Sequence, residues 1–136
     1  MNKIIRNIAG LVLGIVIGSF VNMSIIKLNG TAVPLPEGID PTNMESIKAG
    51  MHKYTLMNYL VVFLAHWMGT FTGAITAGLI ASSSKLIFMY AIGALFMLGG
   101  LSMIIMLPTP IWFAFVDLAF AYIPVAWLAG KLVNKK

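Results

Sequence analysis

The sequence predicts an all-α integral membrane protein, a bundle of four transmembrane helices with a short amphipathic helix in the outer loop. Three observations lead to this fold class. Apolar residues make up 60% of the 136 residues, against about 45–50% in a soluble domain. Charged residues make up only 10%, against about 25% in soluble proteins. Long uncharged segments separate these charges, and each segment must be helical because hydrocarbon offers the backbone no hydrogen-bond partner.

These segments define four spans within a single transmembrane domain over 1–136. We expect helices at about 7–28, 55–82, 86–107 and 111–133. Each exceeds the roughly 20 residues that cross ~30 Å of hydrocarbon. Pro108 and Pro110 divide an uncharged stretch that is too long for one helix, because proline removes a donor and clashes with the preceding turn. We expect the first segment to be a retained helix, since no Ala-x-Ala cleavage motif follows it.

The outer loop, at about 29–54, is predicted to contain one short helix. Its prolines and glycines make the first half irregular. Thr42 and Glu45 have the spacing of a capping box, in which the two residues satisfy each other's backbone N–H groups. Apolar residues then recur near helical spacing at Met44, Ile47, Met51 and Tyr54. This spacing predicts an amphipathic helix that packs against the end of the bundle, with a moving gate as the alternative.

The basic residues predict the orientation. One side of the membrane would hold Lys3, Arg6, Lys85, Lys131, Lys135 and Lys136. The other side would hold Lys27, Lys48 and Lys53. Because cytoplasmic segments carry the excess of lysine and arginine, we expect both termini in the cytoplasm and a plasma or inner membrane location. The basic residues form no patch interleaved with aromatic residues, so the bilayer is an expected partner and nucleic acid is not.

Glycines that share helix faces recur in three of the predicted helices. They are Gly10, Gly14, Gly18, Gly69, Gly73, Gly93, Gly99 and Gly100. Small residues at such spacing let a second backbone approach closely. We therefore expect tight helix packing, either within the bundle or between subunits of a homo-oligomer or with a partner membrane subunit.

Four polar residues are predicted to lie at similar depth in the outer half of the bilayer: Asn22, His66, Ser102 and Asp117. At ~1.5 Å per residue they fall roughly 6–15 Å below the outer boundary. Ionisable groups in hydrocarbon are costly and indicate functional sites by default. A carboxylate and an imidazole at one depth favour a pair or a proton-handling site. The alternative is a structural bridge between two helices.

The leading functional hypothesis is a small transporter or channel for an ion, proton or small polar solute, with this polar layer as its pathway. The alternative is a non-catalytic accessory or assembly subunit that packs through its glycine faces. A membrane enzyme acting at the outer surface is the third hypothesis, although no catalytic residue can be assigned. We expect no cofactor and no metal site, because the chain has no cysteine and His52 and His66 lie at different depths.

The predicted topology can be tested by labelling Gly38→Cys and Ser83→Cys, each in a chain that has no native cysteine. A membrane-impermeant maleimide should label the first from outside intact cells and the second only in inverted vesicles. Labelling of both positions from the same side would contradict four spans.

Overall fold

The computed structural model describes residues 1–135, so Lys136, which was counted in the charge distribution, lies outside the described part. This part contains six α-helices: α1 Lys3–Ile26, α2 Met44–Gly50, α3 Leu56–Ile80, α4 Lys85–Met106, α5 Ile111–Phe120 and α6 Ile123–Val133. A short 3-10 helix, Met51–Lys53, follows α2. Counted together, α5 and α6 form one span, so within residues 1–135 four helices are long and apolar enough to cross a membrane. The predicted all-α bundle of a membrane protein is confirmed.

The bundle has a loop end and a terminal end. The loop end contains residues 27–55 and the α4–α5 connection, and the terminal end contains both termini and the α3–α4 turn. α1 begins at Lys3, earlier than predicted, because the Asn2 side chain caps it by accepting the Ile4 N–H at 3.0 Å. The Arg6 guanidinium donates to the Ile80 carbonyl from two nitrogens at 3.1 and 3.0 Å. A cation on the last carbonyls of α3 is favourable, so Arg6 fastens α1 to the terminal end of α3.

α1 and α3 are antiparallel and their backbones are in direct contact. The buried residues of α1 are Gly10, Gly14 and Gly18. A Cβ atom placed on Gly14 would lie 2.7 Å from the Gly73 carbonyl oxygen, and one on Gly18 would lie 2.6 Å from that of Gly69. The relation is reciprocal, because a Cβ atom on Gly73 would lie 2.8 Å from the Gly14 carbonyl oxygen. Only glycine fits on both sides, so these residues pack helices within the chain.

Three glycines of α4 are predicted to allow close approach of another helix, and two of them contact the last span. A Cβ atom on Gly93 would lie 3.0 Å from the Ala126 side chain, and Gly100 is covered by the Tyr122 ring. Gly99 differs from the prediction, because within residues 1–135 nothing lies within 4 Å of a Cβ atom at that position. Gly99 instead lies beside a cavity.

The last span is broken, where one helix over about 111–133 was expected. α5 ends at Phe120 and α6 begins at Ile123. Pro124 has no N–H to donate to the Phe120 carbonyl, and a proline is tolerated in the first turn of the new helix. α6 packs closely on α3 and α4, whereas α5 makes few contacts with either. The break therefore closes the terminal half of the bundle and leaves the loop half open.

Small side chains fill the closed terminal half. Its fully buried core consists of Ala74, Ala77, Met89, Ile92, Ala126 and Ala129. Four of these six residues are alanines, which allow α3, α4 and α6 to approach closely around the two larger side chains.

The predicted capping box of α2 is wrong. Asn43 is the N-cap, and its side-chain oxygen accepts the backbone N–H groups of Glu45 and Ser46 at 2.9 and 3.2 Å. The Thr42 hydroxyl donates instead to the Asp40 carboxylate at 2.7 Å. Asn43, one residue after Thr42, accepts from the unpaired backbone N–H groups at the start of α2. The Thr42 hydroxyl can therefore bond to Asp40 in the turn before the helix. The hydrogen bonds from the Thr42 side chain and backbone lower the pKa of Asp40.

The glycine contact yields a stability prediction. Gly14→Leu should lower the free energy of unfolding by about 1–3 kcal/mol or more, because the new side chain must push the α3 backbone away. Val16→Leu is the matched control, since Val16 on the same helix is 56% exposed. Thermal melting of both variants in one detergent measures the difference. Equal melting temperatures would contradict the direct α1–α3 contact.

Candidate binding site

A cavity of about 390 Å³ occupies the loop half of the bundle. α1, α3, α4 and α5 surround it, and residues of the long loop cover its loop end. Its lining is mainly apolar and includes aromatic rings and methionines, among them Phe96, Phe113, Met23, Met51 and Met103. Polar residues lie in its lining as well, and three of them meet at one place.

His66, Asp117 and Tyr122 form a hydrogen-bonded cluster in the cavity lining. The Nδ1 atom of His66 lies 2.8 and 2.9 Å from the two carboxylate oxygens of Asp117. The Tyr122 hydroxyl donates to Asp117 Oδ2 at 3.0 Å. The Asp117 side chain is 1% exposed and that of His66 is 14% exposed. The carboxylate is thus removed from solvent, while the imidazole keeps access to the cavity.

Three elements bring these side chains together. His66 lies in α3, Asp117 in the second half of α5, and Tyr122 in the junction before α6. The break after Phe120 turns the chain so that Tyr122 points back at Asp117, five residues before it. One straight helix would place residues five apart on different faces. The cluster therefore depends on the break.

The cluster determines what His66 offers to the cavity. An ionised carboxylate can only accept hydrogen bonds, so with Asp117 ionised the proton of a neutral His66 lies on Nδ1. Nε2 then has a free lone pair, and within residues 1–135 no protein group bonds to this nitrogen. Protonation would convert Nε2 into a donor. Nε2 is thus the imidazole atom that faces the cavity without a hydrogen bond to the described part of the chain.

Asn22 lines the same cavity from α1. Its Cβ atom lies against Gly69, so the glycine contact positions the asparagine beside α3. Within the described part of the chain, the Asn22 Oδ1 atom is buried without a hydrogen-bond partner. A buried acceptor without a partner is costly, which makes this atom a candidate contact for a ligand.

Ser102, the fourth residue of the predicted polar layer, does not belong to the site. Its side chain is exposed, and its hydroxyl donates to the Leu98 carbonyl of the same helix at 2.9 Å. The cavity is lined instead by Gly99, Gly100 and Met103 of α4. Ser102 was selected by depth alone, and depth does not determine which face of a helix a residue occupies.

Two asparagines that the sequence analysis missed attach the loop to α3. The Asn58 side chain donates to Asn29 Oδ1 and to the Pro34 carbonyl, both at 3.1 Å. Asn29 in turn donates to the Asn58 carbonyl at 3.1 Å. Asn58 also completes a capping box with Thr55. The Thr55-x-x-Asn58 spacing signals the helix start, but the pairing with Asn29 has no local signal.

Comparison with known protein families, with curated proteins and with solved structures found no match. Over residues 1–135, no three His, Cys, Asp or Glu side chains come together as a metal site. The function of the cavity must therefore be inferred from its own geometry.

The hydroxyl of Tyr122 should contribute to stability through Asp117. Tyr122→Phe should lower the free energy of unfolding by about 0.6–1.5 kcal/mol, because Asp117 Oδ2 loses the hydrogen bond from the tyrosine hydroxyl. Tyr90→Phe is the matched control. The Tyr122 hydroxyl bonds to Asp117, whereas within residues 1–135 the Tyr90 hydroxyl bonds to no other side chain. Denaturation of both variants in mixed micelles measures the difference. A Tyr122→Phe protein as stable as the control would contradict the described cluster.

Proposed function

We propose that this membrane protein is a small transporter that binds a solute in the loop-end cavity and couples binding to protonation of the His66–Asp117 pair. The observation that carries this proposal is the position of the pair. A buried carboxylate lies at the cavity, and its imidazole partner keeps one nitrogen free of protein contacts. A purely structural bridge needs neither a cavity beside it nor a free nitrogen.

The closed terminal half favours a carrier over an open channel. Below the cavity the buried alanine-rich core fills the space between α3, α4 and α6. A single chain with this packing offers no continuous aqueous path, so transport requires a change of conformation. The α5–α6 break provides a hinge for it, because the Asp117–Tyr122 hydrogen bond connects α5 to the junction. A change of charge at the pair would alter the bonding across this hinge.

The distribution of lysines supports an outward-facing cavity. Lys3, Arg6 and Lys85 lie at the terminal end, and Lys27 and Lys53 lie near the loop end. With Lys48 at the loop end and Lys131 and Lys135 at the terminal end included, the excess of basic residues in the described part is at the terminal end. Both termini would then be cytoplasmic, and the cavity would receive its solute from the outer side.

The glycine contacts weaken the case for an accessory subunit. That hypothesis used the glycine faces as the surface for a partner. Gly10, Gly14 and Gly18 are instead buried against α3. Transport therefore has the support of a specific cavity, whereas the glycine face of α1 is already occupied by α3.

The proposal can be tested in liposomes that contain the purified protein and the pH dye pyranine. Two permanently charged probes share one apolar body: 4-phenylbutyl-trimethylammonium and 4-phenylbutanesulfonate. Addition of at least one probe should move protons across the wild-type membrane and not across protein-free liposomes. Asp117→Asn and His66→Gln should abolish this movement, because each removes one member of the pair.

Glu37→Gln is the matched control, since it removes an exposed loop carboxylate and should behave like the wild type. A wild-type protein that moves no protons with either probe would contradict the proposed transport. Unchanged activity of Asp117→Asn would contradict the assignment of the site.

A further inference from the structure

We propose that the solute of this cavity is an amphipathic organic cation, and that its binding releases one proton from His66. This inference rests on the proposed function, because it names the solute class of the same site. Three properties of the cavity carry it: its charge, its hydrogen-bonding atoms and its apolar walls.

The described lining has no permanent positive charge. Asp117 is the one carboxylate among the described lining residues, and neither lysine nor arginine lies among them. The groups that face His66 are Asp117 of α5 and Tyr122 of the junction, while α1 and α4 contribute no titratable side chain to the lining. Tyr54, in the loop, is the other titratable lining residue, and burial raises its pKa, so it stays neutral. The site is therefore neutral when His66 is protonated and negative when it is not.

A negative site of low dielectric favours a cation and repels an anion. The attraction between unit charges a few ångströms apart is several-fold stronger here than in water. A carboxylate or phosphate solute would meet Asp117 without any lysine or arginine to compensate. A monovalent cation would instead neutralise the carboxylate, which is the role His66 has when protonated.

Two acceptor atoms of the site have no partner in the described part of the chain. Within residues 1–135, Asn22 Oδ1 is buried without a partner, and Nε2 of neutral His66 has a free lone pair. Both atoms carry partial negative charge. A positively charged head group is attracted to both atoms, whereas a carbonyl oxygen or an anionic head group is repelled by them.

The walls of the cavity fit an apolar body with aromatic character. Rings of Tyr54, Phe96, Phe113 and Tyr122 lie in the lining. Aromatic faces attract cations, and apolar walls bury a hydrocarbon chain. The volume of about 390 Å³ lies within the range of small-molecule sites. It accommodates one ring with a short alkyl chain.

The binding step balances in protons and charge. When Nε2 of His66 holds a proton and Asp117 is ionised, the pair has no net charge. The cation binds next to the pair, the N–H bond at Nε2 breaks, and the proton leaves to water through the loop end. The cavity again has no net charge. Exchange of one proton for one monovalent cation follows, and no electron transfer is involved.

The solute class is tested by calorimetry on the full chain in nanodiscs of zwitterionic lipid, with empty nanodiscs subtracted. Three ligands share a phenylbutyl body and differ in the head group: trimethylammonium, hydroxyl and sulfonate. The cation should bind at least about tenfold more tightly than the alcohol, and the sulfonate most weakly. Asp117→Asn should lose about tenfold in affinity for the cation with little change for the alcohol, while Glu37→Gln should match the wild type.

Repeating the titration in buffers of different ionisation enthalpy measures the proton released. Where His66 is protonated before binding, about one proton should leave per cation bound, and His66→Gln should bind without proton release. Tighter binding of the alcohol or the sulfonate, or cation binding without proton release in the wild type, would overturn the inference. If the sulfonate moves protons in the liposome assay and the cation does not, the transporter proposal stands and the cation class is wrong. If the cation binds with proton release but moves no protons across liposomes, the cation class stands and the transporter proposal is wrong.

Discussion

Direct backbone contact between α1 and α3 is the constraint on which the rest of the structure depends. Glycines on both helices bring the two backbones together, so that carbonyl oxygens lie where side chains would otherwise be. Lipid is as apolar as the helices, so close packing of this kind must provide much of the association. The pair forms a fixed frame against which α4 and the last span pack. It also positions Asn22 beside Gly69 and thus beside the cavity.

The second determinant is the break between α5 and α6. It allows α6 to complete the closed half of the bundle, while α5 makes few contacts with α4 and a cavity lies between them. It also places Tyr122 where its hydroxyl reaches Asp117. One local feature therefore creates both the space and the hydrogen-bond cluster. Removal of a carboxylate from solvent inside a membrane is costly, and this carboxylate lies at the cavity with two side chains bonded to it.

The sequence was sufficient to predict the four spans and the glycine faces, because hydrophobic runs and small-residue spacing are local properties. It was also sufficient to predict that His66 and Asp117 lie at one depth, because the rise per residue of a helix converts position in the sequence into depth in the membrane. It could not place Ser102, because depth does not give the face of a helix. It missed Tyr122, whose position depends on where the last span breaks, and the Asn29–Asn58 pair, which joins residues far apart in the chain. The sequence also could not predict where the closed half of the bundle ends and the cavity begins, because that position depends on packing among several helices.

The central claim is that His66 is held by Asp117 through Nδ1 and exchanges a proton at Nε2 when the cavity is occupied. Nitrogen-15 NMR of labelled histidine in nanodiscs tests this claim most directly. The chain has two histidines, so a His52→Gln background leaves the signal of His66 alone. Saturation with 4-phenylbutyl-trimethylammonium should shift Nε2 from a protonated to an unprotonated signal while Nδ1 stays protonated. An Nε2 signal that is unchanged by the ligand, or a proton that resides on Nε2 and not on Nδ1 in the neutral ring, would contradict the account.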